Sequence, residues 1–339
     1  MSVRDILRDI PVECPYCRKE NTTSFEPIDL RAPIQCVECK KSFVIGDVFE
    51  LLYEEEPLAR ESIDTIVRYA TSKWVLKEGS QEASGETQEF LQRIGFEDLI
   101  KRTATQVLVH GDAFLKTMAS GGKTASWELL PTKQVQVKTS KIIERGAITS
   151  VLKEDEFILT VENEEHSFGP DEIIHFKKAL LNYDKPYGDS MLQITLNPFN
   201  FLRRLRQAPQ HIQSQFKGLQ QMYKEEVLLG LGVPKFVLER RAAGLDTRLA
   251  KYILITFVEK IRILQELLSE GFDRAIGQFA SQGKLTEVPK IQLRKLTERM
   301  VLLDCDFSFA TEIESWKKLY DVGIITKEEL DANLKEFEQ

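Results

Sequence analysis

"DAFLKTMASGGKTASWELLP", residues 112–131, is where the periodicity of the chain changes. Immediately upstream, "ETQEFLQRIGFEDLIKRTATQVLVHG" repeats apolar side chains every three or four residues. That spacing predicts a long helix, with Gly95 as its one interruption. In the quoted stretch the period falls to two, and "SGGK" sits where a hairpin tip belongs. "KQVQVKT", "AITSVLKEDEFILTVEN" and "EIIHFKK" follow as further short strands. Residues 111–178 therefore read as a β-rich block behind a helical lead-in, and the fold class as α+β.

Working outward toward the N-terminus, "PLARESIDTIVRYATSKWVL" (57–76) places Ile63, Ile66, Val67, Ala70 and Trp74 on one helical face. Pro57 suits its first turn. "KEGSQEASGETQ" (77–88) reads as a polar loop, and "FVIGDVFELLYEEEP" as a strand with an acidic break. Toward the C-terminus, "NPFNFLRRLRQAPQHIQSQFKGLQQMYKEE" is helical, with Pro209 as a kink or break. "GVPKFVLER" is expected to contain a strand over 234–240, residues 246–270 a second long helix, and "VPKIQLRKL" a strand. Gly323 reads as a helix stop. Thr326 with Glu329 forms a capping box that starts the next helix. Residues 304–339 hold ten acids against four bases and read as a solvated acidic tail.

Charged residues make up 29% of the 339, and the net charge is −7, which excludes a general nucleic-acid coating protein. No apolar run is long enough to span a bilayer. "MSVRDILRDIPVE" lacks the apolar stretch of a signal peptide, so the expected compartment is the cytoplasm. Thiols stay reduced there, and paired Cys-x-x-Cys reads as metal ligands before disulfides. Two such pairs occur, "ECPYCRKE" (13–20) and "QCVECKKS" (35–42). Cys14, Cys17, Cys36 and Cys39 can form two knuckles around one tetrahedral zinc ion. Tyr16, Phe25, Ile34 and Phe43 are the available core for so small a unit. A thioredoxin-type site would need a surrounding βαβ pattern, which is missing. Cys305 reads as a small buried residue. Between residues 11 and 45, five bases face five acids, whereas a nucleic-acid-reading ribbon carries a positive excess. A metal-stapled docking module and a nucleic-acid reader both stay open at this point, the former favoured.

Other motifs fail on inspection. "GGKT" (121–124) would need a glycine at 117, where Thr117 stands, and a helix after it. "GDSML" (188–192) lacks the closing glycine of a nucleophile elbow. His110, His166, His175 and His211 show no metal spacing, and His175 reads as a satisfied structural residue in a strand. Nothing assembles a catalytic constellation, so no enzyme is expected. One charge run stands out. Residues 197–224 carry Arg203, Arg204, Arg206, Lys217 and Lys224 and no acid. Such a run is either a solvated or intersubunit charge-paired face, or a contact for DNA or an acidic partner.

Seven segments, in order over roughly 57–335, resemble phage portal proteins. They are "ESIDTIVRYATSKWVL", "LVHGDAFLK" (with Asp112 where the family usually has Asn), "ELLPTKQVQV", "FGPDEIIHFK", "PYGDSMLQIT", "GVPKFVLER" and "WKKLYDVGIITKEEL". The four-cysteine ribbon is not a usual part of that family, and the chain is short for it. The resemblance implies a portal fold: an α/β wing, a helical stem, a small clip and a helical crown, here preceded by the ribbon. On that pattern, 1–50 is an N-terminal arm with the zinc ribbon and 51–196 the wing. Residues 197–225 and 246–270 are stem helices around a clip at 226–245. Residues 271–303 are a tunnel-proximal return and 304–339 the crown. It further implies a homo-oligomeric ring, typically dodecameric, at one capsid vertex of a virion. Double-stranded DNA would pass through its tunnel, and the major capsid protein, large terminase and head–tail adaptor would be its partners. The alternative is a zinc-ribbon nucleic-acid-binding or regulatory protein.

Overall fold

The computed structural model describes residues 10–23, 33–120, 123–142, 151–162, 164–178, 186–239, 247–283, 288–296, 301, 320–321, 323 and 326–330. The expected hairpin tip at 121–122, the end of the expected clip (240–245), Cys305 and most of the acidic tail lie outside these residues.

Two small hairpins come first: β1 (Ile10–Glu13) with β2 (Glu20–Thr23), and β3 (Ile34–Gln35) with β4 (Ser42–Phe43). Next comes α1 (Ile45–Glu55), where a strand was expected. Ile45, Val48, Phe49 and Leu52 are all buried at helical spacing, and Asp47 Oδ2 accepts from the Val44 N–H at 2.9 Å. The β-branched opening masked that period. Helix α2 (Pro57–Ala70) starts on its proline but stops before Trp74. Residues Trp74–Lys77 form β5, so Trp74 belongs to a strand and packs edge-on to Phe96 at 5.0 Å. The expected loop at 77–88 is largely α3 (Gln81–Arg93), capped by Ser80 Oγ accepting from Ala83 N at 3.2 Å. Gly95, at φ +67°, separates it from α4 (Phe96–His110), as the sequence predicts.

The β-block forms two antiparallel three-stranded sheets. One has the order β11–β6–β7 (Ile173–Lys177, Asp112–Ser120, Lys123–Leu130). The other has the order β10–β9–β8 (Glu164–Phe168, Val151–Val161, Val135–Ile142). Phe114, Leu130, Val135, Val137, Phe157, Leu159 and Ile173 join them in one core cluster. At the end of α4 the chain turns through Gly111, at φ +87°, against Gly188. A Cβ on Gly111 would stand 2.5 Å from the Gly188 backbone, and one on Gly188 only 2.1 Å from the Gly111 carbonyl. Neither position has room for a side chain.

The next helices among the described residues are α5 (Leu196–Gln207), α6 (Gln210–Gln215), α7 (Lys217–Leu231), α8 (Lys235–Glu239) and α9 (Thr247–Gly283). The break at Pro209 falls where expected. Residues 235–239 are helical rather than a strand, with Val237 N donating to the Pro234 carbonyl at 2.9 Å. Helix α9 runs well past residue 270, so "GFDRAIGQFASQG" is its last third. Strand β12 (Lys290–Leu293) pairs with β5.

Contacts divide the chain into two units, 1–231 with 264–294, and 232–263 with 295–339. In the first, Phe90, Phe96, Trp127, Phe176, Phe272 and Phe279 form a continuous aromatic cluster, with Phe90 stacked on Phe279 at 4.3 Å. In the second, Leu254, Phe257, Val258 and Ile261 are buried, as are Phe236 and Val237. There, too, Thr326 and Glu329 make the predicted reciprocal cap at 2.8 and 3.2 Å.

Candidate metal centre

Each hairpin carries one Cys-x-x-Cys knuckle at its tip, and the two are built alike. Cys14 N donates to the Lys19 carbonyl and Arg18 N to the Cys14 carbonyl, at 2.8 and 2.9 Å. The equivalents, Cys36 N to Lys41 and Lys40 N to Cys36, are 3.0 and 3.1 Å. Arg18 and Lys40, four residues past the first cysteine of each pair, both adopt left-handed φ, +63° and +58°. Asn21 stitches the knuckles together: its Oδ1 accepts from Val37 N at 2.9 Å, and its Nδ2 donates to the Lys19 carbonyl at 2.9 Å. Nδ2 also lies 3.8 Å from Cys36 Sγ.

The four sulfurs all lie within 4.8 Å of one another. Cys14–Cys39 and Cys17–Cys36 are separated by 3.7 and 3.5 Å. A tetrahedral zinc–thiolate shell, with bonds of about 2.3 Å, places neighbouring sulfurs about 3.8 Å apart. The donor set and its spacing therefore suit a tetrahedral thiophilic metal. Against the cost of burial, hydrogen bonds from the Cys39 and Glu38 backbone and from neighbouring thiols bring Cys36 down to about 6. For Cys39, a backbone hydrogen bond at Lys41 acts downward, but burial and the thiols of Cys17, Cys36 and Cys14 push it up to about 12. The lowering at Cys36 favours the thiolate, which is the form that ligates a metal.

The expected aromatic core of the ribbon is only partly present. Phe43 and Val12 are buried, but Tyr16 is 55% exposed, with Lys41 Nζ 4.9 Å from its ring centroid. Phe25 lies outside the described residues. The small unit leans instead on its neighbours through charge. Arg203, only 8% exposed, meets Glu13 at 3.1 Å, Glu55 at 2.7 Å and Glu56 at 3.2 Å. Arg204 pairs with Glu20, Arg206 with Glu56, and Arg18 of the ribbon with Glu55. Three of the five bases singled out in the sequence thus sit beside carboxylates of this same chain. Lys217 and Lys224 are exposed on α7, without an ion pair among the described residues. Sequence reasoning missed Asn21, and it missed the four glutamates as partners of the arginines.

A second buried polar centre lies in the β-block. His175 Nδ1 contacts Glu154 Oε1 at 2.6 Å, and its Nε2 contacts Asp112 Oδ1 at 2.8 Å. The ring stacks on Phe114, its cross-strand partner, at 4.4 Å. Burial opposes the charge on His175, but hydrogen bonds to the two carboxylates outweigh it and raise its pKa. Asp112 Oδ1 also accepts from Gly188 N at 2.8 Å. Ser190 Oγ donates to the Val109 carbonyl and accepts from Leu192 N. Its proton is thus directed to backbone rather than to a histidine.

No family model matches the sequence, and no curated protein matches it. Solved structures do match in fold. A chain of the virion of a native gene transfer agent particle aligns at TM-score 0.52 and 13% identity, covering 89% of this chain and 95% of that one. A neck chain of the empty particle, computed with C6 symmetry, gives 0.53 and 14%, covering 89% and 95%. A neck chain of the native particle, computed with C12 symmetry, gives 0.52 and 14%, covering 90% and 96%. The chain shares their fold over nearly its whole length.

Proposed function

We propose that the chain is a portal-type ring subunit of a tailed-phage-like particle. It would sit at one vertex of the virion and act as a conduit for double-stranded DNA during packaging and ejection. The observation that carries this reading is the fold match, over nearly the full length of both chains, to a neck chain of a gene transfer agent particle, the neck having been computed with C12 symmetry. The seven ordered portal-like segments support it independently. On this reading the ring is dodecameric, the large terminase and then a head–tail adaptor dock on it, and the major capsid protein surrounds it. Its role is structural rather than catalytic, and no described helix is long and apolar enough to cross a membrane. A net charge of −7 suits a conduit, because phosphate contacts around a tunnel would add affinity and stall sliding DNA. The ion in the ribbon is zinc, held by Cys14, Cys17, Cys36 and Cys39 as a closed structural site with no open position for chemistry.

Electron microscopy of the purified protein with native mass and zinc analysis tests both parts. Rings with a central hole, about twelve subunits by family resemblance, and one zinc per chain are expected. A uniform monomer that binds DNA through the ribbon would instead establish the nucleic-acid-binding alternative.

A further inference from the structure

The ribbon's charged contacts and its first two metal ligands alternate along one short stretch of chain. Glu13 precedes Cys14, Arg18 follows Cys17, and Glu20 lies two residues further on. Their positions depend on the first knuckle, including the left-handed backbone at Arg18. That knuckle belongs to hairpins with strands of four and two residues. Isolated two-stranded hairpins are marginal in water, and units of this size need a metal to fold. Their counterpart is equally specific. Helix α5 brings Arg203, Arg204 and Arg206 to a seat whose other wall is the α1–α2 corner, Glu55 and Glu56. With the ribbon in place, four carboxylates (Glu13, Glu20, Glu55, Glu56) meet four arginines (Arg18, Arg203, Arg204, Arg206). Without it, three arginines face two carboxylates, Arg204 loses its partner and buried Arg203 loses Glu13.

We propose that metal binding at the four thiolates and the seating of the ribbon on α5 form one coupled equilibrium. The loaded ribbon is a clasp that locks α5 to the α1–α2 corner, and loss of the metal opens it. The proposal rests on the zinc reading above and gives that site a mechanical purpose. The clasp fastens the start of the 196–231 helical run and sets ribbon carboxylates against Arg203 and Arg204, which would otherwise add to a basic face. Coupling of this kind is reciprocal. A weakened seat must release zinc faster, and removal of zinc must loosen the seat.

The test uses full-length, zinc-loaded protein and two readouts. One is the rate of zinc transfer to excess chromophoric chelator, and the other is amide hydrogen exchange over residues 196–207 before and after chelation. Arg203→Met and Arg204→Glu both lie on α5 and replace no metal ligand, so they reach zinc only through the seat. Arg203→Met removes a buried partner and is expected to speed zinc release about tenfold. Arg204→Glu, at an exposed pair, is expected to speed it about threefold. The swap Glu20→Arg/Arg204→Glu should return the rate to near wild type, which separates pairing from misfolding. Chelation should speed exchange over 196–207 about tenfold and leave β6–β7 unchanged. Stoichiometric zinc with wild-type release rates in both single variants, and no change over 196–207, would overturn the clasp and leave the zinc site standing. Protein that takes up no zinc on reconstitution would remove the zinc reading and the clasp with it.

Discussion

Replacing His175 by Gln removes the cation between Asp112 and Glu154 while keeping side-chain length. The loss is uneven. Glu154 is 31% exposed and screened by water, whereas Asp112 is fully buried and keeps only the Gly188 N–H at Oδ1. Its Oδ2 has no hydrogen-bond partner among the described residues. Removing one partner of a buried charge pair costs about 3–5 kcal/mol, and the screened Glu154 side places this case near 3. For a unit of this size that corresponds to a fall in Tm of roughly 6–12 °C. The sign of the pH dependence follows from the raised pKa. The wild-type advantage is complete below about pH 6.5, the ordinary histidine value, and is lost as pH rises through the higher folded value. The other charge near the ring, Arg274, donates to the His175 backbone carbonyl at 2.9 Å. Urea unfolding of wild type, His175→Gln, Asp112→Asn and the double variant, each at several pH values, supplies the assay. The double variant should lose less than the sum of the singles, by about 1–3 kcal/mol. Additive losses, or a His175→Gln penalty that grows with pH, would refute the reasoning.

Phe272→Ala should cost about 3–5 kcal/mol, because it opens a cavity where α9 meets Phe96, Trp127 and Phe176; urea midpoints measure it. Thr326→Ala should cost the second unit about 1 kcal/mol by removing the side-chain half of its helix cap, read as faster hydrogen exchange over 327–330.

Features of local chemistry were legible in the sequence. The cysteine spacing, the helix starting at Pro57, the interruption at Gly95, the break at Pro209 and the Thr326–Glu329 cap each depend on residues within a few positions of one another. The strand "EIIHFK" and the hairpin of 112–130 announced themselves by period. Elements whose pattern is short or shared were misread. Helix α1 opens with Val44 and Ile45, which also suit strands. Helix α3 begins in a run of Gln, Glu, Ser and Gly whose helical character rests on Ser80 as a cap and shows apolar spacing only from Ala83 onward. Strand β5 was absorbed into the preceding helix because Trp74 falls in phase with it. The arginine run shows the deeper limit. Arg203 and Glu55 are 148 positions apart, and Arg204 and Glu20 are 184 apart. A chain read in one dimension displays the bases but not the acids that meet them.

Gly111 and Gly188 carry a genetic consequence. Most steric clashes have an intragenic remedy, since a smaller partner elsewhere can make room. Here the obstacle at each is backbone, that of the other glycine first and then of Lys178 or Asp189, and both are already the smallest residue available. A saturation screen should therefore find both positions closed to substitution. No second-site suppressor should arise at the facing glycine, and any revertant should restore the original codon's meaning.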